Sequence, residues 1–297
     1  MTRVVAVFAL LVTVALGADA RAERPVQVRS WQLVVDGAPG AFLSSANATQ
    51  TAAGVEETIA ATPGAIAPAL WSWIAPAVDG QDPRRTATIV GVSVDAKTST
   101  ATQLAGASIR KIVFPALDAA DRAPLQIGIT LSAAATTPTT ASANPERPGP
   151  SYLSSNFRLG IDGMPTGRAA AVAPITITMA PQEVVTATVR PGIGLAASRL
   201  GASLAPGVVT PVKVASGATV SPVTVKVALA DAPAFQQWLS TAAGTKRNGT
   251  VQYLDASMKQ GFTVSLKGLG ITRVTTDTAA NRATIELTVD GASVAPP

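Results

Sequence analysis

The chain has 297 residues, long enough for two average domains or one large one. Hydrophobic residues make up 47%, charged residues 14% and aromatics only 4%, which excludes wholesale disorder and leaves a core built mainly from Ala, Val, Ile and Leu. The formal net charge is +5, and the absence of both Cys and His excludes disulfides, thiolate metal sites, and the commonest catalytic base and metal ligand, so composition favours a structural or binding protein over a catalyst.

Residues 1–22 read as a signal peptide. Arg3 gives the positive start, Val4 to Gly17 is an apolar run, and Ala18-Asp19-Ala20 and Ala20-Arg21-Ala22 are overlapping small-residue cleavage patterns, with cleavage after Ala22 favoured. The mature chain is then expected in the periplasm or outside the cell. Cleavage removes Arg3, Arg21 and Asp19, two positive charges and one negative, which lowers +5 to +4. The remaining basic residues are spread as single charges and pairs without interleaved aromatics, so no nucleic-acid footprint is indicated. No later stretch is long and uncharged enough to cross a membrane as a helix. Missing aromatic girdles and uneven strand spacing speak against an outer-membrane barrel.

Trp31-Gln-Leu-Val-Val-Asp-Gly37 alternates apolar residues and ends in Asp-Gly, which predicts a strand entering a tight turn at Asp36 and Gly37. Glu56-Glu57 reads as a solvated loop or a helix start, because no second carboxylate cluster stands at metal-ligand spacing. Ala67-Pro-Ala-Leu-Trp-Ser-Trp73 predicts a short helix, with Pro68 in its first turn and Leu70, Trp73 and Ile74 facing a core. That phase leaves Trp71 exposed and makes it the candidate interface aromatic. Arg84-Arg85 leads into a strand over Thr86–Val94, and Ala119-Ala-Asp-Arg-Ala123 precedes an alternating strand, Leu125–Leu131. Residues 136–151 are Thr/Pro-rich and predict an extended linker behind a first domain at 24–135.

The same elements then recur in the same order. Phe157-Arg-Leu-Gly-Ile-Asp-Gly163 repeats the strand and its turn at Asp162 and Gly163, and Ala232-Pro-Ala-Phe-Gln-Gln-Trp238 repeats the helix, with Phe235, Trp238 and Leu239 inward. Lys246-Arg247 precedes a strand at Thr250–Leu254, and Ala279-Ala-Asn-Arg-Ala283 precedes another at Thr284–Val289. Four ordered matches indicate duplication, with the second domain at 152–297. Trp31, Trp73, Phe157, Phe235 and Trp238 are the expected core anchors. The second copy is longer between its turn and its helix, and a strand-rich insertion, a hairpin or small sheet, is expected at about 185–228.

No residue stands out as catalytic, cofactor-binding or metal-ligating. Without His the usual nucleophile triad is impossible, and Gly192-Ile-Gly194 lacks the context of a nucleotide loop. Asn47-Ala-Thr49 and Asn248-Gly-Thr250 match the glycosylation acceptor pattern, but the bacterial-looking signal peptide makes that a weak indication of a site. The basic pairs Arg84-Arg85, Arg110-Lys111 and Lys246-Arg247 either blunt strand edges or face acids on a neighbouring protomer.

The order of strand with "(V/I)DG" turn, further strands, Trp-bearing helix and alternating final strand resembles the tail-tube proteins of contractile phages and related injection systems. Trp31–Gly37 with Leu70–Ile74, and Phe157–Gly163 with Phe235–Leu239, carry the resemblance. It implies a mainly β fold of two tandem tail-tube-like antiparallel β-barrel or sandwich domains, each with one short helix. It also implies self-association, three duplicated chains forming a pseudo-hexameric ring or stacked rings, with other exported assembly components as further partners. The signal peptide, the low charge and the insertion depart from that family. The chain is thus expected to be an exported, non-catalytic structural protein without cofactors. The alternative is a monomeric two-domain β-sandwich module that binds a surface, glycan or protein partner.

Overall fold

The computed structural model describes residues 28–93, 99–141, 149–180, 184–185, 212–213, 217–241 and 244–297. The expected signal peptide at 1–22 lies outside the described residues, as does most of the expected insertion. The first half runs β1 (Val28–Val35), β2 (Ala38–Thr51), β3 (Gly54–Ile66), helix α1 (Pro68–Val78), β4 (Arg85–Ser93), β5 (Ser99–Phe114), β6 (Leu117–Asp118), β7 (Ile127–Ala133) and β8 (Thr136–Thr139). The second runs β9 (Tyr152–Ile161), β10 (Ala171–Val172), β11 (Ile175–Met179), β12 (Val184–Val185), β13 (Val212–Lys213), β14 (Ala218–Val220) and β15 (Val223–Ala228). Helix α2 (Ala232–Thr241), β16 (Arg247–Asp255), β17 (Gln260–Asp277), β18 (Arg282–Thr288) and β19 (Gly291–Ala295) complete it. The fold is mainly β with one short helix per half, as expected.

In the first half β1 pairs β2, β2 pairs β3, β3 pairs β7, β7 pairs β5, β5 pairs β4 and β4 returns to β1, all antiparallel. This is a closed barrel, which removes the open edges of a flat sheet. Period-2 alternation sends Leu33, Val35, Leu43, Ile59, Ala61, Leu104 and Leu131 to its interior, all buried. The second half repeats the order. β9–β16–β17–β18–β15 pair as β1–β4–β5–β7–β3 do, and β19 lies on β17 as β8 lies on β5. Even the irregularities recur. β4 and β5 slip register after Arg85↔Ala107, and β16 and β17 slip after Arg247↔Leu269. β5 and β7 slip after Ile109↔Leu131, and β17 and β18 after Ile271↔Leu287. Bulges at matching positions bend both sheets the same way.

The halves differ where β2 closes the first barrel. Asp36 (φ 49°) and Gly37 (φ 82°) both take left-handed backbone, the mirror-image turn that matches strand twist and folds β2 directly onto β1. At the second turn only Gly163 (φ 67°) does, Met164 N–H donates to the Ile161 carbonyl at 2.9 Å, and the chain leaves without pairing to β9. The short β10 pairs β15 instead, and on its other side it pairs β6 from the first half. Leu125 N–H then donates to the Tyr152 carbonyl of β9 at 3.0 Å. In return β11 pairs β5, and β14 pairs β11, so strands of the second half extend the first sheet. The two halves therefore exchange strands rather than sit as beads.

Part of the expected linker is structured. Thr136–Thr139 form β8 on β5, and Gly149 N–H donates to the Gly64 carbonyl at 3.0 Å. Of the expected insertion, β12 pairs β13, β14 joins the first sheet, and β15 is the counterpart of β3 rather than an addition.

The helices also diverge. Trp71 is buried at 3% exposure, which corrects the expectation that it is an exposed interface residue. Its ring meets Phe262 of the second half at 5.3 Å, within a cluster formed by Phe114, Tyr152, Tyr253 and Phe262. Helix α1 is thus covered on both faces, Trp73 toward its own barrel and Trp71 toward the other half. Helix α2 carries Gln236 where α1 has Trp71. It buries Phe235 and Trp238 on one face only and leaves Leu239, expected inward, 39% exposed.

Candidate functional site

The sequence-derived residues assemble into one bracket built twice. Trp73 Nε1 donates to the Pro83 carbonyl at 2.6 Å, and Trp238 Nε1 donates to the Thr245 carbonyl at 3.1 Å. Two residues further along stand Arg85 and Arg247. Arg85 donates to the Asp36 carboxylate at 3.4 Å and to the Ser72 carbonyl at 3.3 Å. The second contact has a cause in the sequence: Pro76 lacks the N–H that would otherwise reach Ser72 in the helix, so the carbonyl is open to another donor. Arg247 donates to the Asp162 carbonyl and lies 5.1 Å over the Trp238 ring. The turns themselves are pinned alike, with Asp36 N–H on the Thr86 carbonyl at 2.8 Å and Asp162 N–H on the Asn248 carbonyl at 2.9 Å.

Asp36, Gly37, Asp162 and Gly163 are therefore turn residues, as expected. Arg85 and Arg247 are the ties between turn and helix, not free edge charges. Arg84 is exposed with Asp82 at 3.8 Å, and Lys246 is exposed and paired with Asp290. Trp73, Phe235 and Trp238 are buried anchors, whereas Trp31 and Phe157 are only partly buried against the core.

The bracket frames a concave face in each half. In the first, Gln32, Thr86, Thr88 and Gln103 on β1, β4 and β5 border a groove of about 670 Å³ that reaches the Asp36-Gly37 turn. In the second, Asn248, Thr250, Ser265, Lys267 and Ser293 border a groove of about 810 Å³ that reaches the Asp162-Gly163 turn. Register makes these the same surface. Thr86 and Asn248 follow Arg85 and Arg247, Thr88 and Thr250 come two residues later, and Gln103 and Ser265 lie opposite Thr88 and Thr250 on the next strand.

A third cavity, of about 410 Å³, opens at the end of the first barrel away from α1. It is lined by Trp31, Gln50, Glu57, Ile89, Thr102 and Thr136 among others. Trp31 lies flat over its cross-strand partner Gly91, where an added Cβ would come within 2.9 Å of the ring. Glu57 is 6% exposed, and burial alone raises its carboxyl above the usual range. This corrects the reading of Glu56-Glu57 as a loop or helix start: both lie in β3, with Glu57 in phase with the inward Val55 and Ile59. That alternation is visible in the sequence and would have located it.

Among the described residues no group of three or more His, Cys, Asp or Glu side chains could hold a metal ion. Nor is any described helix long and apolar enough to cross a membrane. No protein-family model matches the chain, and no curated protein matches it in sequence.

Proposed function

We propose that this is an exported, non-catalytic structural protein that self-associates through tail-tube-like halves, three chains forming a pseudo-hexameric ring. The observation that carries the reading is the pair of grooves, one per half, set in the same register on β1–β4–β5 and β9–β16–β17. A ring with one kind of unit repeated around its axis needs the same face presented by every unit, and duplication supplies it twice per chain. In this reading the two grooves face the lumen.

The test is the mass in solution of residues 23–297, by light scattering across a concentration series. A trimer or a larger multiple of three is expected, and a monomer that persists to high concentration overturns the ring. The alternative, a monomeric binding module, is favoured by one separate observation, the cavity that Glu57 lines at the end of the first barrel.

A further inference from the structure

The duplicated fold contains its own control. Because the halves share register, each inward position at the open end of the first barrel has a counterpart in the second. Glu57 lies opposite Leu131 on β7, and its counterpart opposite Leu287 on β18 is Val223. Thr102 lies opposite Ile89 on β4, and Val264 lies opposite Val251 on β16. Thr136 lies opposite Leu104, and Ala292 opposite Leu266. Val223, Val264 and Ala292 are buried, so apolar residues satisfy the fold at all three places. The first half carries a carboxyl and two hydroxyls instead, together with Gln50 and the larger ring of Trp31 where the second half has Phe157.

The fold does not need this polarity, and it is costly. A carboxylate taken out of water without a partner is destabilising. Glu57 has no ion pair or hydrogen bond with the described residues, and the cavity's lining holds no other charged side chain. The residue is buried to more than nine-tenths, and it lines an open cavity together with Trp31.

We propose that the open end of the first barrel binds a small organic ammonium ion, with its charge against the Glu57 carboxylate and its alkyl groups against Trp31. Indole is the best cation–π partner among side chains, and a desolvated carboxylate supplies the counter-charge. Gln50, Thr102 and Thr136 offer hydrogen-bonding groups to an ammonium N–H or a ligand hydroxyl. A divalent metal fits this donor set poorly, since such ions take about six or more oxygens, mostly carboxylate or carbonyl. An anion meets a charge of its own sign. The inference stands independently of the ring.

The experiment is calorimetric titration of residues 23–297 with choline and tetramethylammonium, and with 3,3-dimethylbutan-1-ol as choline's neutral isostere. Saturable binding of the ammonium probes is expected, with the alcohol at least about tenfold weaker, as a charge-assisted contact implies. Glu57→Gln and Trp31→Ala should each weaken choline about tenfold or more. Glu57→Val, which installs the residue of the second half, should abolish binding while unfolding at the same or higher denaturant than the natural chain at neutral pH. Equal binding of alcohol and choline, undiminished binding by Glu57→Gln, or no binding of either ammonium probe overturns the proposal. So does a Glu57→Val chain that folds less stably, which would make the carboxyl a structural element.

Discussion

Burial on β3 takes the Glu57 carboxyl partly out of water, and no cation among the described residues pairs with it. The folded chain therefore holds the Glu57 proton more tightly than the unfolded chain does. The sign follows by linkage: stability from this group is fully present below the unfolded value near 4.5 and is lost as pH rises through the higher folded value. The other cavity-lining side chains, Trp31, Ala46, Ala48, Gln50, Val55, Ile89, Thr102 and Thr136, do not titrate in this range, so Glu57 alone sets the local dependence. Glu57→Gln should remove it. In urea unfolding from acid to neutral pH, the stability of the Glu57→Gln chain minus that of the natural chain is expected to grow across that interval. A difference flat in pH would mean that the carboxyl is solvated in the folded state. Arg85 and Arg247 show the opposite case, where charge is matched by contacts to turn and helix and the side chain serves the fold.

Helix α1 and helix α2 began as matching segments and now hold different positions in the fold. Trp71 in α1 packs on Phe262 of the other half, while Gln236 takes the same place in α2 and is exposed. Trp71→Gln makes α1 resemble α2 and leaves a hole beside Phe262, the ring on which Tyr253 and Phe114 pack. The expected loss is about 3–5 kcal/mol, in the range for a large aromatic removed from a core, read as a fall in the urea midpoint. A loss below about 1 kcal/mol would show that the aromatic cluster does not hold the halves together. The strand-turn, the helices, the Arg-bearing strands and their duplication were legible from alternation, Asp-Gly and helical spacing, because each is a local pattern. Trp71 was not: one helix's periodicity marks one buried face, and the second face is buried only by a partner distant in sequence. Leu239 misled for the converse reason, since no second partner among the described residues covers it. Glu57 was legible in phase with Val55 and Ile59, but its meaning appears only when β3 is set beside β15. The grooves depend on register between strands far apart in the chain, and no local pattern carries that.

At the scale of the whole molecule, the sequence suggests two domains joined by a tether, whereas the pairing ties the halves together at several points. β6 of the first half pairs β10 where the second sheet lacks a long β2, and Leu125 reaches Tyr152 beside it. β11 of the second half pairs β5, and β14 pairs β11. Phe114 and Trp71 from one half pack on Phe262 from the other. A chain cut at residue 140 would expose the free edge of β5, leave β10 unpaired on one side, and uncover the aromatic cluster in both fragments. Exposed apolar surface and open edges of that kind favour aggregation over independent folding. Residues 23–297 should therefore unfold in a single cooperative transition, with near-UV aromatic and far-UV backbone circular dichroism coincident. Fragments 24–140 and 149–297 made separately should lack the near-UV signal. Mixed together, they should regain it in proportion to the complex formed, because the missing strands are then supplied in trans. Two soluble fragments, each with its own cooperative transition and native near-UV spectrum, would show that the exchanged strands are ornaments on autonomous domains.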